Sequence, residues 1–562
     1  MRFRGFLLFA LLAVHGFASQ KPEQVHISLT GDLTELFVTW LTMDKVNSPA
    51  YVKYGLSNDA IGSTVSAETD NFTDPGETGI IRYVYRAKLI QLQPDTTYYY
   101  QVGTDGATSK IFSFKTFPQG DFPLRICIFG DLGIVNGQFD ALVNGAAKGL
   151  FDMVIHIGDF AYDLHTNDGS YGDQFFQLIE PIASKMPYMA VVGNHETAYN
   201  YLHYKMRFRM PDNGAKRNEG FFYSFDAGLV HFTGLSSEFY DGEGWLDYAQ
   251  DQFTWLENDL KSTTQPWKIT YLHRPMYCSN NKPSWNDGDC NDVTATRIRQ
   301  GGDGYPGLED AFMNNKVDFA FYGHMHSYER MWPVYNKTVY RDGQTNELYL
   351  NPTTPVHVIT GSAGCHTPHT PQDENEAWSC ARNEDFGFTV LQIYNKTHIH
   401  LRQYSTEQQK DVDQMWLIKT DTTVSTTPTT TITPTTTTKQ PIPPAATTTQ
   451  PNKKPSTTAG KSTSPSTTSA ATPSTTSVAT PSTTSAATPS TTSVATPSTT
   501  SDATPSTTSA ANLSSTTHQD HTTFAVSTTE PTLTTKSHKA AAKYNAIFVP
   551  LGLAVALTTV FN

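Results

Sequence analysis

Met153-Val154-Ile155-His156-Ile157-Gly158-Asp159-Phe160-Ala161-Tyr162 is the stretch on which the reading of this chain turns. Its first five residues form a near-continuous apolar run, the pattern of a strand buried on both faces. A glycine and an aspartate follow at once, so a carboxylate stands at the carboxyl end of that strand. In layered α/β domains, ligand sites gather along this edge. The arrangement recurs along the chain. Arg125 to Phe129 runs into Gly130-Asp131-Leu132-Gly133, and Met189 to Val192 into Gly193-Asn194-His195-Glu196. Ile269 to Leu272 runs into His273, and Phe319 to Tyr322 into Gly323-His324-Met325-His326. Between these runs lie amphipathic stretches such as Tyr248 to Leu260, with Phe253, Leu256 and Leu260 on one face. The pattern predicts an α/β layered domain over residues 122–419, with later strands around Val356 to Thr360 and Phe388 to Ile393.

The motifs place seven donors at these strand ends: Asp131, Asp159, Tyr162, Asn194, His273, His324 and His326. Hard oxygens with imidazoles suit iron, zinc and manganese. Two metals a few ångströms apart need a bridging ligand, and Asp159, central in the set, is the natural carboxylate for it. Asn194 offers an uncharged oxygen and leaves its metal the stronger Lewis acid. A Tyr162 phenolate favours a trivalent ion such as Fe³⁺. The chemistry this predicts is hydrolysis. A bound metal lowers the pKa of its water from 15.7 toward about 7, and metal-bound hydroxide attacks phosphorus in line. No Gly-x-Ser-x-Gly elbow appears. Other polar residues near the motifs are weighed separately. Glu196 reads either as support for the ligands or as a catalytic carboxylate. His156 reads as a core histidine, His366 and His369 as loop residues, and His398 and His400 carry no catalytic role.

The remaining sequence sets the context. The chain has 562 residues, with 53 acids against 40 bases and a net charge of −13. Only four of those acids, but seven of the bases, lie between Asp421 and Lys543, so the acidity belongs to the globular part. Such a surface repels nucleic acid phosphates and excludes a nucleic-acid-binding role. An anionic substrate would draw its positive charge from bound metals. Residues 1–19 read as a secretory signal: Arg2 and Arg4, an apolar run from Gly5 to Val14, and Gly16-Phe17-Ala18 as cleavage site. Secretion permits disulfides, and among five cysteines the pairs nearest in sequence are Cys278 with Cys290 and Cys365 with Cys380; Cys127 sits in an apolar run and reads as a core thiol. Asn71, Asn336, Asn395 and Asn512 head glycosylation sequons.

Residues 22–119 read as all-β, from short aromatic and β-branched runs such as Phe37-Val38-Thr39-Trp40 and Tyr83-Val84-Tyr85-Arg86. Leu92-Gln93-Pro94-Asp95-Thr96-Thr97-Tyr98-Tyr99-Tyr100 resembles a fibronectin type III signature. Residues 420–540 are dominated by Thr, Ser, Pro and Ala, with Ala-Thr-Pro-Ser-Thr-Thr-Ser-x repeated five times from Ala471 to Ala510. This composition cannot bury a core and reads as a mucin-like stalk. The apolar segment 546–562 has no basic residue after it. It reads as a lipid-anchor signal or, as the alternative, a single span, which gives a secreted or surface-tethered protein.

With the motifs in place, the chain resembles the purple acid phosphatases of the metallophosphoesterase superfamily, in their larger plant-like form. The superfamily's Asp-x-His pattern has Gly133 at its third position here, and a tyrosine appears instead in Gly158-Asp159-Phe160-Ala161-Tyr162. The resemblance implies a calcineurin-like fold, a layered β-sandwich core flanked by helices, behind the fibronectin-like domain. It implies Fe(III) on Asp131, Tyr162 and His326. A divalent zinc, iron or manganese ion would sit on Asn194, His273 and His324, with Asp159 shared. It further implies that Asn194 and His195 contact substrate, with His195 the candidate proton donor. The histidine pair that plant members carry downstream is absent from Arg274-Pro275-Met276-Tyr277-Cys278-Ser279-Asn280-Asn281. The expected function is hydrolysis of small phosphate monoesters in acid. The alternatives are a phosphodiesterase or nucleotide pyrophosphatase on the same scaffold and, from another class, a non-catalytic adhesion ectodomain.

Overall fold

The computed structural model describes residues 20–280, 290, 292–365 and 376–420. The expected signal at 1–19, the stalk from 421 onward, the segment 546–562, the sequon at Asn512, and His366 and His369 lie outside the described residues.

The amino-terminal part is built from antiparallel strands in two sheets. One runs Glu23–Leu29, Leu36–Thr42, Ile81–Leu89, Glu68–Thr73, and the other is centred on Tyr51–Gly55 and Thr97–Thr104. Alternation along these strands turns Val38, Trp40, Tyr85 and Tyr100 inward, where the Trp40 and Tyr85 rings stack at 5.4 Å.

The larger part holds two seven-stranded sheets. The first is ordered Tyr188–Val191, Met153–Ile157, Leu124–Phe129, Gly387–Ile393, His398–Ser405, Lys410–Ile418, Leu348–Leu350. The second is ordered Tyr223–Ala227, Val230–Gly234, Trp267–Tyr271, Phe319–Tyr322, Val356–Thr360, Tyr328–Met331, Ser379–Asn383. The strands preceding the five motifs pair in parallel within their sheets, so their carboxyl ends share an edge. The edges of the two sheets meet there. Gly130 N–H donates to the Thr360 carbonyl at 2.9 Å, and Thr389 Oγ1 donates to Thr360 Oγ1 at 3.0 Å. The helix expected over 248–260 forms as Leu246–Ser262 and buries Ala249, Gln252, Leu256 and Leu260. No helix of the described residues is long and apolar enough to cross a membrane.

Cys278 and Cys290 form a disulfide. The expected Cys365–Cys380 bridge is not formed, and the reason is strand register. Ser379–Asn383 pairs with Tyr328–Met331, which turns the Cys380 sulfur toward Arg330 Nη1 at 3.4 Å. Cys365 lies five residues after Val356–Thr360, and its thiol hydrogen-bonds His326 instead. Cys127 is a buried core thiol. Asn71, Asn336 and Asn395 are exposed.

Candidate metal centre

Three of the five motifs deliver a side chain by leaving the strand through backbone that ordinary residues avoid. Asp131, Asp159, Tyr162 and His324 all have positive φ, between 45° and 67°. Non-glycine residues in this region are uncommon, and such strain collects at functional sites. The neighbouring glycines answer a different need. A Cβ on Gly193 would lie 2.2 Å from Asp159 Oδ1, so only glycine lets the Asn194 loop pass the Asp159 carboxylate. The loops are tied to one another as well. Asp131 N–H donates to the Gly158 carbonyl at 3.1 Å, and Gly323 N–H to the His273 carbonyl at 3.0 Å.

The result is one buried cluster in two halves. In the first half, Tyr162 Oη lies 3.2 Å from Asp131 Oδ1 and 2.8 Å from His326 Nε2, and His326 Nε2 lies 3.5 Å from Asp131 Oδ1. In the second, Asn194 Oδ1 lies 3.0 Å from both His273 Nε2 and His324 Nδ1. Asp159 Oδ2 lies 3.2 Å from His273 Nε2, and Asp159, His273 and His324 form a compact buried group that could hold a metal ion. Donors around one ion at 2.0–2.2 Å stand about 3 to 3.5 Å from each other, which is the spacing found. The ring orientations also fit. His273 Nδ1 faces the Ile157 carbonyl at 2.8 Å, which directs Nε2 inward. The residues present therefore suit a metal in each half.

Electrostatics point the same way. Burial opposes ionisation of Asp159, yet His273 and His195 hold its carboxyl well below the usual carboxylate range. Burial likewise disfavours a cationic His273, but Asp159 overrides it and raises the ring to about 10. Burial also works against a cationic His326, which Asp131 and Cys365 hold well above the usual value. The carboxylates draw positive charge into the interior, as a metal cage must. Burial, with the charges of Asp131 and Asp159, pushes the Tyr162 phenol up, so it is a cation that would release its proton.

The structure separates Glu196 from His195. Glu196 accepts the N–H groups of Asp159 at 2.8 Å, Phe160 at 3.1 Å and Gly193 at 2.9 Å, stitching two motif loops together. It is a support, not an open carboxylate. His195 is partly exposed at the open side, its backbone N–H on Asp159 Oδ1 at 3.0 Å and its Nδ1 2.5 Å from Asp163 Oδ1. Burial lowers the basicity of this ring, but Asp159 and Asp163 raise it to about 9. His156 is buried against Tyr188 Oη at 2.7 Å, and His398 and His400 lie on a strand of the first sheet beside Trp416. Two residues went unassigned in the sequence. Asp163 follows Tyr162 and Arg274 follows His273, and adjacency to a ligand was the only signal either carried. A cavity of about 500 Å³ lies between Lys115, Phe122, Arg125 and Lys185, and none of the candidate metal donors lines it.

Candidate metal donors gathered at the strand ends of a layered α/β fold fit a metallophosphoesterase. The comparisons agree. Residues 22–116 match the purple acid phosphatase N-terminal domain, 124–328 the calcineurin-like phosphoesterase domain, and 354–414 the iron/zinc purple acid phosphatase-like C-terminal domain. Acid phosphatase type 7 of Homo sapiens is 40% identical over 423 residues, covering 72% of this chain and 92% of the relative. Purple acid phosphatase 18 of Arabidopsis thaliana is 31% identical over 431 residues, covering 71% and 85%. The fold of purple acid phosphatase PPD1 from yellow lupin seeds superposes with a TM-score of 0.60 at 24% identity, covering 71% of this chain and 75% of that one. The chain belongs to the purple acid phosphatase family, and as an acid phosphatase of that family it hydrolyses phosphoesters.

Proposed function

We propose that the protein is a phosphomonoesterase that works in acid with a mixed-valence metal pair. Fe(III) belongs on Asp131, Tyr162 and His326, a divalent zinc, iron or manganese ion on Asn194, His273 and His324, and Asp159 between them. The observation that carries this reading is that two donor triads lie in one buried cluster, with neighbouring donors in each 2.8–3.5 Å apart and the Asp159 carboxylate 3.2 Å from His273. When bound, such a pair supplies charge for the phosphoryl oxygens and acidifies a water for in-line attack. The chain's own residues do the rest. Glu196 fixes the loops that carry Asp159 and Asn194. Asp163 takes one nitrogen of His195, leaving Nε2 on the side of Asp159 at 4.0 Å. Held in place by Asp163, His195 can present Nε2 to the leaving alcohol as a proton donor.

The secretory route is part of the same proposal. It is supported by the signal-like residues 1–19, three exposed sequons and the Cys278–Cys290 disulfide, with tethering through the segment 546–562. The function test is metal analysis with an absorption spectrum. Two metals per chain, one of them iron, with visible absorbance lost in Tyr162→Phe, are expected. A colourless, active wild-type enzyme would count against Fe(III), and turnover of a diester equal to or faster than that of a monoester would overturn the monoesterase assignment.

A further inference from the structure

We infer that a cavity beside Asn336 seats the first N-acetylglucosamine of a glycan carried on that asparagine. The inference rests on the proposed secretory route, since only there is the sequon Asn336-Lys337-Thr338 used. Asn336 stands at the tip of a hairpin. Val334–Tyr335 pairs with Thr338–Val339, and the two residues between them have positive φ, 46° and 57°. That is the pattern of a type I′ turn, which makes a short tip. The tip is tied down on one side. Asn336 N–H donates to Glu309 Oε1 at 2.9 Å, Lys337 N–H to Tyr277 Oη at 3.1 Å, and Tyr335 Oη to Asp310 Oδ1 at 2.8 Å. Asn336 is exposed, so a sugar on it starts from a fixed point in reach of solvent. That point is the rim of a cavity of about 330 Å³, lined by Arg299, Gln300, Glu309, Asp310, Tyr335 and Asn336 itself.

The lining suits a neutral, hydroxyl-rich occupant. Arg299 is 3% exposed, and its Nη1 donates to the Met276 carbonyl at 2.7 Å, while Nε has no hydrogen-bond partner among the described residues. Glu309 accepts on Oε1, from Asn336 and from the Tyr277 hydroxyl, and Asp310 accepts on Oδ1, so each keeps an oxygen for a further donor. A guanidinium only donates and a carboxylate only accepts. An anion here would face Glu309 and Asp310, and a cation would face Arg299. A sugar brings hydroxyls for the carboxylates and an acetamide oxygen for the guanidinium, with no charge to desolvate. Tyr335, held by Asp310, adds ring surface for the apolar face of the sugar. The link is made at the Asn336 amide nitrogen, which loses a proton as the sugar's anomeric carbon leaves the pyrophosphate of a lipid-linked donor. Once tethered, the sugar meets the cavity at high effective concentration, so modest contacts suffice. The other described sequons differ. Asn71 lies on the edge strand Glu68–Thr73, and Asn395 Oδ1 accepts from the N–H groups of Thr397 at 2.8 Å and His398 at 2.9 Å; neither residue lines this cavity.

The experiment uses the full chain secreted from a eukaryotic host. The native protein is treated with peptide N-glycosidase F, and mass spectrometry follows glycan release at each site. A net hydrogen bond or two to the sugar predicts release from Asn336 about tenfold slower than from Asn71 and Asn395, with equal rates once the protein is denatured. Asp310→Ala, at an exposed position, removes an acceptor and frees the Tyr335 hydroxyl. It should bring release at Asn336 to within about threefold of the other sites, while occupancy and phosphatase turnover hold. Thr338→Ala cancels the sequon and keeps Asn336. Losing the seated sugar should lower the thermal midpoint by about 1–3 °C, whereas Thr73→Ala, which cancels the Asn71 sequon, should leave it in place. Equal native release at all the sites, an unchanged midpoint in Thr338→Ala, or an empty Asn336 beside occupied Asn71 and Asn395 overturns the inference. Slow release that Asp310→Ala leaves unaltered belongs to the turn and overturns it as well. If Asp310→Ala does not fold, the wild-type rates and the Thr338→Ala midpoint decide. Empty sequons throughout sink the secretory route beneath the inference, an outcome distinct from the loss of the Asn336 seat alone.

Discussion

The Asp163–His195 pair is where a single side chain has most leverage. A histidine with one nitrogen held by a carboxylate 2.5 Å away keeps a fixed ring and presents its other nitrogen to the reaction. If His195 protonates the leaving alcohol, the benefit is greatest where that alcohol is a poor leaving group. Asp163→Asn should therefore lower kcat about tenfold or more on alkyl phosphates and much less on 4-nitrophenyl phosphate. Equal losses on both, measured across a leaving-group series, would assign Asp163 to general support instead. Asp159 has a different kind of leverage, because the proposed metal pair would share it. Asp159→Ala should strip both metals, and normal metal content in that variant would refute the shared-ligand role.

At the scale of elements, His231 joins a hairpin to a helix. It stands on Val230–Gly234, with Nδ1 2.7 Å from Asp226 Oδ1 on the neighbouring strand and Nε2 2.8 Å from Asp259 Oδ2 on Leu246–Ser262. Burial disfavours its charged form, but the two aspartates raise it to about 9. The folded value lies above the unfolded value of about 6.5, so the stabilisation is complete below pH 6.5 and is lost as pH rises through 9. Urea unfolding should show wild type losing about 2–3 kcal/mol between pH 6.5 and 9.5 through this group. His231→Gln should lack that fall, and a parallel fall in the variant would remove the element from the account. The clamp is strongest in acid, where the enzyme is proposed to work.

The whole molecule depends on a buried ion cluster between its two parts. Arg82, on a strand of the amino-terminal sandwich, donates Nε and Nη2 to Asp173 on the helix Ser170–Ala183 of the catalytic part, the Nη2 contact at 2.6 Å. Arg207 adds Nη2 to the same carboxylate at 2.8 Å and Nη1 to Gln24 Oε1 at 3.0 Å. Removing the shared acid would leave two buried guanidinium groups facing each other. Asp173→Ala should cost about 3–5 kcal/mol, read as a large fall in the thermal midpoint. The amino-terminal sandwich is thus a structural partner of the catalytic part, although it carries none of the metal donors. A variant within about 1 kcal/mol of wild type would show that this cluster does not hold the two parts together.

Much of the site was legible because its signals are local. Apolar runs such as Met153 to Ile157 declare buried strands, a Gly-Asp or Gly-His after them declares a donor at the strand end, and the spacing of Gly158, Asp159 and Tyr162 distinguishes the family branch. The sequence by itself therefore determined the layered fold and singled out the seven candidate donors. The partners of side chains were not legible, because they depend on how loops far apart in the chain come to face each other. Only the tertiary structure paired Asp163 with His195, fastened Glu196 to three N–H groups and aimed Arg274 at His324. Only it placed Cys365 beside His326 rather than against Cys380, and joined Arg82 to Asp173 across the two parts. Strand periodicity is a property of neighbouring residues. The direction of a side chain at a loop's end is a property of everything packed around it.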